Sequence, residues 1–188
     1  MRPLITPHPI DRVRAVPEKM VVFLKSGLIF FIVTAVTLPA LVLSAWAVQP
    51  SNKLQTQGLV FEEELAVLVN QKRRTLGVPI LKKSPLLSWV ARNHSRDMSA
   101  RDFFQHTNPD DQGPKARLEG SGYAWRAFGE NIGCGQESPR LILETWLKSK
   151  FHRETMLNPL YREIGIGFVA GGSCGYYWTG IFASPAGR

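Results

Sequence analysis

The chain has 188 residues, a length typical of a single domain, and carries 23 Lys and Arg against 15 Asp and Glu. The net charge of +8 favours solubility and weak attraction to anionic polymers or lipid head groups. The basic residues are scattered, and no nucleic-acid recognition motif accompanies them, so we expect no nucleic-acid partner.

The first 48 residues are typical of an export segment rather than of a folded domain. Residues 1–25 are basic, and residues 26–49 contain no charged side chain. The small residues Ala45 and Ala47 end the apolar run, as in a secretory signal cleaved after Ala47. The run is also long enough to cross a bilayer as an uncleaved anchor. Residues 26–48 are therefore either a signal peptide or a transmembrane anchor. Both alternatives predict an extracytoplasmic domain, which is secreted in the first case and membrane-anchored in the second.

Polar residues at 49–58, with Pro50 and Gly58, predict a linker. A helical pattern follows and predicts a first helix from Leu59 to Gly77, with Glu62 and its acidic neighbours in the first turn. The apolar face of this helix is expected to contain Leu59, Val60, Leu65, Leu68, Val69 and Leu76.

Two further helices are predicted from the dipeptide Ser-Pro, which is a common helix start. The second helix runs from Ser84-Pro85 to about Asp102, and His94 is expected on its solvated face. Residues 108–122 are rich in turn-forming residues. The third helix begins at Ser138-Pro139 and continues past Trp146.

Two β-type runs at 164–170 and 175–183 close the chain and predict a hairpin connected by Gly171, Gly172 and Ser173. Helices that precede antiparallel strands indicate the α+β class. The two cysteines, Cys134 and Cys174, lie in the exported part and are expected to form a disulfide, with two free buried thiols as the alternative.

Three residues could carry chemistry, namely His106, Glu130 and His152, each expected at an element end or in a loop. Two imidazoles and a carboxylate suit a divalent metal, or an acid/base group around a metal-bound water. They lie 24 and 22 residues apart, a spacing that does not by itself bring them together. Ordinary polar core residues are the alternative interpretation.

A series of short motifs surrounds these residues in a specific order. The motifs are Phe103-Phe104-Gln105-His106, Gly122-Tyr123, Gly129-Glu130-Asn131-Ile132, Trp146 with Ser149-x-x-His152-Arg153, Leu157-Asn158-Pro159, Ile164-Gly165-Ile166-Gly167 and Tyr177-Trp178. Over residues 59–184 they resemble the CAP superfamily (cysteine-rich secretory, antigen 5 and pathogenesis-related 1 proteins), in its short bacterial branch. The resemblance implies a CAP domain at 59–186. The implied fold is a three-layer α-β-α sandwich with a central antiparallel sheet, preceded by an N-terminal hydrophobic helix.

The resemblance also implies a cleft lined by two His and two acidic residues, which holds zinc or other divalent ions in some family members. Matched by motif, His106, Glu130 and His152 supply three of these four residues. Animal and plant members have a Glu three residues after the helix Trp, where this chain has Ser149. The cleft is therefore one acid short. The residues expected to support it are Asn131, Ser149 and Arg153.

The favoured interpretation is a non-catalytic extracytoplasmic binding module, expected to be a monomer. Its cleft would hold Zn²⁺ or another divalent ion, and its surface grooves would take a lipid, a glycan or a protein. The alternative is a metal-assisted hydrolase, a peptidase or a cell-wall-acting enzyme, with His152 or Glu130 as the general base. A third possibility is a surface scaffold with a purely structural cleft.

Overall fold

The structure is a computed structural model that describes residues 50–187. The basic segment, the signal peptide or anchor and the hydrophobic helix predicted at 1–48 lie outside the described residues. Within the described part of the chain, no helix combines the length and the apolar character needed to cross a bilayer.

The described residues form five helices and four strands, joined by loops. In chain order they are α1 (Pro50–Thr75), β1 (Lys82–Lys83), α2 (Pro85–Arg101), α3 (Pro114–Gly120), β2 (Trp125–Cys134), α4 (Pro139–Lys148), α5 (Lys150–Leu157), β3 (Glu163–Ala170) and β4 (Tyr176–Pro185). The strand order is β1-β3-β4-β2. Strand β4 pairs antiparallel with both β2 and β3, whereas the two-residue β1 pairs parallel with β3. The predicted α+β class is confirmed, but the sheet is mixed rather than purely antiparallel.

Alternate residues of β3 pack against helices on opposite faces of the sheet. A side chain at Gly165 or Gly167 would overlap the backbone of α2, so these glycines let α2 lie directly on the sheet. Ile164 and Ile166 point the other way, into a core shared with α1, α4 and α5. The sheet therefore lies between two helical layers.

The larger core contains two fully buried tryptophans whose N–H groups are both satisfied. Trp146 donates from Nε1 to the carbonyl of Ile132 at 3.1 Å, and Trp178 donates from Nε1 to the carbonyl of Gln136 at 2.6 Å. A buried indole needs such a partner because an unpaired N–H costs desolvation free energy. These bonds attach the end of β2, and the residues that follow it, to the core.

Helix α1 differs from its prediction at both ends. The predicted linker at 49–58 is helical from Pro50 onward, so Glu62 does not lie in the first turn. Leu59, Val60 and Leu76 are exposed. The buried face instead includes Glu62, whose Oε1 accepts hydrogen bonds from the Phe168 amide at 3.0 Å and from Arg92 Nε at 2.8 Å. Tertiary contacts of this kind override a polar local composition.

The Ser-Pro helix starts are confirmed. Ser84 and Ser138 are N-cap residues, and each side chain accepts a hydrogen bond from the amide three residues later. The hairpin of β3 and β4 is confirmed as well, and its connection uses Gly172 at φ +62°. Helices α3 and α5 and strand β2 were not predicted. Glu130 and His152 consequently lie within regular elements rather than at element ends.

The disulfide between Cys134 and Cys174 is confirmed, with a Cα–Cα distance of 5.6 Å. It ties the end of β2 to the connection between β3 and β4 across a sequence separation of 40 residues. We expect the Cys134→Ala/Cys174→Ala variant to lose about 3–4 kcal/mol of unfolding free energy, because the unfolded chain gains entropy. Urea unfolding of both proteins with and without reductant measures this. Reductant should destabilise only the wild type, and an equal effect on both would contradict the prediction.

Candidate functional site

Glu130 lies at the centre of the candidate site, on the edge strand β2. Its side chain is only 2% exposed, and it forms an ion pair with Arg117 of α3. One guanidinium nitrogen contacts both carboxylate oxygens. Arg117 Nη2 lies 2.8 Å from Oε2 and 3.0 Å from Oε1 of Glu130. A buried carboxylate needs such a partner, since an uncompensated charge is strongly unfavourable in the interior.

Arg117 also holds the loop that follows α2. Its Nη1 donates to the carbonyl of His106 at 2.9 Å and to that of Gln112 at 2.7 Å. Sequence reasoning missed Arg117 because the segment 108–122 was interpreted as turns. The signal that could have identified α3 is Pro114 directly after Gly113, a common arrangement at a helix start.

His106 lies in that loop, and its Nδ1 is 2.8 Å from Oε1 of Glu130. An ionised carboxylate only accepts hydrogen bonds, so Nδ1 is the donor. In the neutral ring the lone pair is then on Nε2. The side chain of His106 is 47% exposed, so this nitrogen is available to a ligand.

The charge of Glu130 is stabilised by its neighbours. Burial alone raises the pKa of this carboxyl group. The hydrogen bond from His106 and the positive charge of Arg117 lower the pKa by more than burial raises it. The net pKa lies below the usual value, so Glu130 is ionised at neutral pH. Because Glu130 stays negatively charged, it fixes the orientation and the tautomer of His106.

His94 is the second residue that sequence reasoning misplaced. It was expected in solvent, and this was wrong, because His94 is 1% exposed. Its Nε2 donates to the carbonyl of Gln105 at 3.1 Å and lies 4.0 Å from Oε1 of Glu130. His94 follows Leu87 by seven residues and Val90 by four, a spacing that places all three on one helix face. That spacing was the available signal.

Burial lowers the pKa of His94 to about 4, so the folded state holds this ring neutral. The unfolded chain binds a proton at this residue below about pH 6.5, so stability should rise with pH between about 4 and 6.5. We expect this ring to contribute on the order of 3 kcal/mol to that rise. Urea unfolding at pH 4.5 and 7.5 tests it by comparing the wild type with His94→Asn. An equally steep pH dependence in the variant would contradict the assignment.

His152 lies on α5, on the other side of β2, and is half-buried. Its carbonyl accepts a hydrogen bond from Asn131 Nδ2 at 2.9 Å. Burial, together with the charge of His106, lowers the pKa of His152. Glu130 and Asn131 are successive residues of one strand, so their side chains point to opposite faces. Glu130 therefore faces His106, whereas Asn131 faces α5 and the backbone of His152.

The three residues expected to support the cleft have different surroundings. Asn131 is fully buried and holds α5 against β2 through the carbonyl of His152. Ser149 occupies the N-cap position of α5 without a side-chain capping bond. Arg153 is exposed, and its Nη1 donates to the carbonyl of Leu147 at 2.7 Å. Asn131 therefore has the most direct contact with the cleft.

His106, Glu130 and His152 do not fit a divalent metal as they stand. Both oxygens of Glu130 accept hydrogen bonds from Arg117, and the guanidinium charge opposes a second cation at the same carboxylate. The Nδ1 hydrogen of His106 also points to Glu130. Among residues 50–187 no cluster of three or more His, Cys, Asp or Glu could hold a metal ion. Zinc binding stays a prediction, and it requires Arg117 to move away from Glu130.

Residues 67–182 match the model of the CAP family, described as the cysteine-rich secretory protein family. The chain belongs to this family. The match covers β1 to β3 entirely, together with parts of α1 and β4, and includes His94, His106, Arg117, Glu130 and His152. The resemblance inferred from the ordered motifs is therefore confirmed.

Bacterial relatives of this CAP domain are longer proteins. The uncharacterized protein YkwD of Bacillus subtilis is 34% identical over 122 residues, which are 65% of this chain and 46% of YkwD. The uncharacterized membrane protein YlbC of the same organism is 31% identical over 116 residues, 62% of this chain and 33% of YlbC. The chain thus spans less than half the length of these curated relatives.

Solved CAP structures share the fold of this domain. An extracellular protein containing a SCP domain from Bacillus anthracis matches with a TM-score of 0.65 and 25% identity, over 70% of this chain and 43% of that one. An outer surface protein of Borrelia burgdorferi matches with a TM-score of 0.62 and 18% identity, over 66% of this chain and 92% of that one. The Borrelia match concerns the fold alone.

Proposed function

We propose that this CAP domain is an extracytoplasmic, non-catalytic binding module that uses the cleft around His106 and His152. The extracytoplasmic location is supported by the disulfide, which is typical of oxidising compartments. The Bacillus anthracis relative is described as extracellular, and YlbC as a membrane protein. The apolar segment at 26–49 agrees with export, either as a cleaved signal or as an anchor.

The observation that carries the binding role is the ion pair of Glu130 with Arg117. A general base must have a free lone pair directed at the proton that it removes. Both oxygens of Glu130 are already engaged by Arg117, and Oε1 also by His106. The carboxylate therefore positions the exposed His106 ring, which offers Nε2 to a ligand. A lipid, a glycan and a protein remain the ligand classes for this cleft.

Turnover assays distinguish a binding module from the hydrolase alternative. The full chain is tested with and without zinc on peptides, esters and peptidoglycan, beside the His106→Ala/His152→Ala variant. We expect no difference between the two proteins, because the lowered pKa of Glu130 and its hydrogen bonds from Arg117 and His106 make it a poor general base. Zinc-dependent turnover that the double variant loses would overturn the proposal in favour of the hydrolase.

Zinc titration by calorimetry tests whether the cleft can hold a metal. We expect Arg117→Gln to bind zinc at least about tenfold more tightly than the wild type, because the substitution removes a positive charge and frees Glu130. Adding His106→Ala and His152→Ala to Arg117→Gln should abolish that gain. Equal zinc affinity of the wild type and Arg117→Gln would contradict the role assigned to Arg117.

A further inference from the structure

A cavity lies between α2 and α3, and we call it the α2–α3 cavity. Its volume of about 350 Å³ is in the lower part of the range of roughly 300–1,000 Å³ for small-molecule sites. Trp89, Asn93 and Asp97 form one wall, since residues four apart share a helix face. The small residues Ala116 and Gly120 of α3 lie among the lining residues and leave the space open.

Trp89 is the exposed tryptophan among the described residues. Its side chain is 54% exposed, whereas Trp146 and Trp178 are fully buried in the core. An exposed indole at the wall of a cavity offers a flat apolar surface on which a ring can stack, and an N–H group that can donate. The packing of the domain does not require this indole, so a ligand is the natural partner for its free face.

The polar groups of the α2–α3 cavity are held in fixed positions. Asn108 donates from Nδ2 to Oδ2 of Asp97 at 3.0 Å and accepts the amide of Gln112 at 2.9 Å. Oδ1 of Asn93 accepts from Arg96 Nη1 at 2.9 Å. These groups need little reorganisation to bind a ligand, which reduces the entropic cost of binding.

Two buried nitrogens of the cavity lining have no hydrogen-bond partner among the described residues. They are Nδ1 of His94 and Nε of Arg117. Because Nε2 of His94 donates to the carbonyl of Gln105, its Nδ1 is an acceptor, whereas Nε of Arg117 is a donor. Native interiors rarely leave such groups unpaired, so the inner end of the cavity has unused hydrogen-bonding capacity.

The charges around the cavity are compensated within the domain. Arg117 is paired with Glu130, and Asp97 lies 3.5 Å from Arg101. The cavity therefore presents dipoles and one flat apolar surface rather than a net charge. A phosphate would meet Arg117 as the one cation of the described lining, and this guanidinium is already paired with Glu130. An acyl chain would leave Nδ1 of His94 and Nε of Arg117 without hydrogen-bond partners. A sugar ring has the complementary chemistry, with a face of C–H groups for the indole and hydroxyl groups for the amides.

We propose that the α2–α3 cavity binds a sugar ring of a glycan, with Trp89 stacked on its C–H face and Asn93 and Asp97 bonded to its hydroxyls. The cavity shares Arg117 and His94 with the Glu130 site. Trp89, Asn93 and Asp97 contact neither His106 nor His152 in the described hydrogen bonds, so substitutions of Trp89 test the glycan site apart from the function proposed above.

Calorimetric titration of the full chain with chitotetraose and with cellotetraose tests the glycan site. The chain is kept in a detergent without a sugar head group, so that the detergent does not compete. We expect saturable binding of at least one oligosaccharide, and a loss of affinity of about tenfold in Trp89→Ala, because the stacking contact is removed. Trp89→Phe keeps an aromatic face and should retain most of the affinity.

Phe151→Ala is the matched control, since Phe151 is 78% exposed and lies on α5, away from this cavity. It should bind like the wild type. Thermal unfolding of each variant confirms that it is folded. Absence of saturable binding by the wild type to either oligosaccharide would overturn the proposal. So would equal affinity of Trp89→Ala and the wild type, or a loss of binding in Phe151→Ala alone.

Discussion

Arg117→Ala is expected to lower the free energy of unfolding by about 3–5 kcal/mol, one of the two largest effects predicted for a single substitution in this domain. The Glu130 side chain is 2% exposed, and removing Arg117 leaves its charge buried without the guanidinium that contacts both of its oxygens. Loss of the bonds from Arg117 to the carbonyls of His106 and Gln112 adds to the effect. Urea unfolding at pH 7 measures the difference.

The double variant Arg117→Ala/Glu130→Gln is the matched control, because it removes the charge together with its partner. It should recover at least half of the lost stability, since a neutral amide is much easier to bury than an unpaired carboxylate. The pKa of Glu130 lies below its usual value, so its ion pair contributes above about pH 4.3 and is lost as pH falls further. A double variant less stable than Arg117→Ala would contradict this account.

Gly167→Ala is expected to destabilise the domain by about 3 kcal/mol or more, through a clash rather than through an unpaired charge. A Cβ atom at Gly167 would overlap backbone atoms of Ala91 and Arg92 in α2. Backbone atoms cannot rotate away, so α2 must move off the sheet. That movement would also shift His94, which lies on the same helix. Urea unfolding measures the loss of stability.

Gly120→Ala is the control for Gly167→Ala, because nothing lies within 4 Å of a Cβ atom at Gly120. It lies at the end of α3, where Ala is compatible with the helix, and should change stability by less than about 1 kcal/mol. If Gly167→Ala were as stable as Gly120→Ala, the close approach of α2 to β3 would not be a constraint on the fold.

Local signals in the sequence were sufficient for much of the fold. Ser84-Pro85 and Ser138-Pro139 indicated two helix starts because Ser and Pro act within one turn of the helix. Alternation of side chains and a glycine-rich connection indicated the final hairpin. The edge strand β2 escaped prediction because Glu130 and Asn131, polar residues on opposite faces, are buried only by tertiary partners. The burial of Glu62 on α1 escaped prediction for a related reason, since this side chain accepts hydrogen bonds from Phe168 and Arg92, which are distant in the chain.

The sequence by itself determined the family, the two Ser-Pro helix starts, the final hairpin and the disulfide partners. These depend on local chemistry and on the order of motifs. Only the tertiary structure decided what the cleft contains. Arg117 and His94 reach Glu130 from different elements, and a distance of 2.8 or 4.0 Å between atoms of residues far apart in the chain depends on how helices pack on the sheet. That packing pairs Glu130 with a cation, which is why we propose that its carboxylate positions the ring of His106.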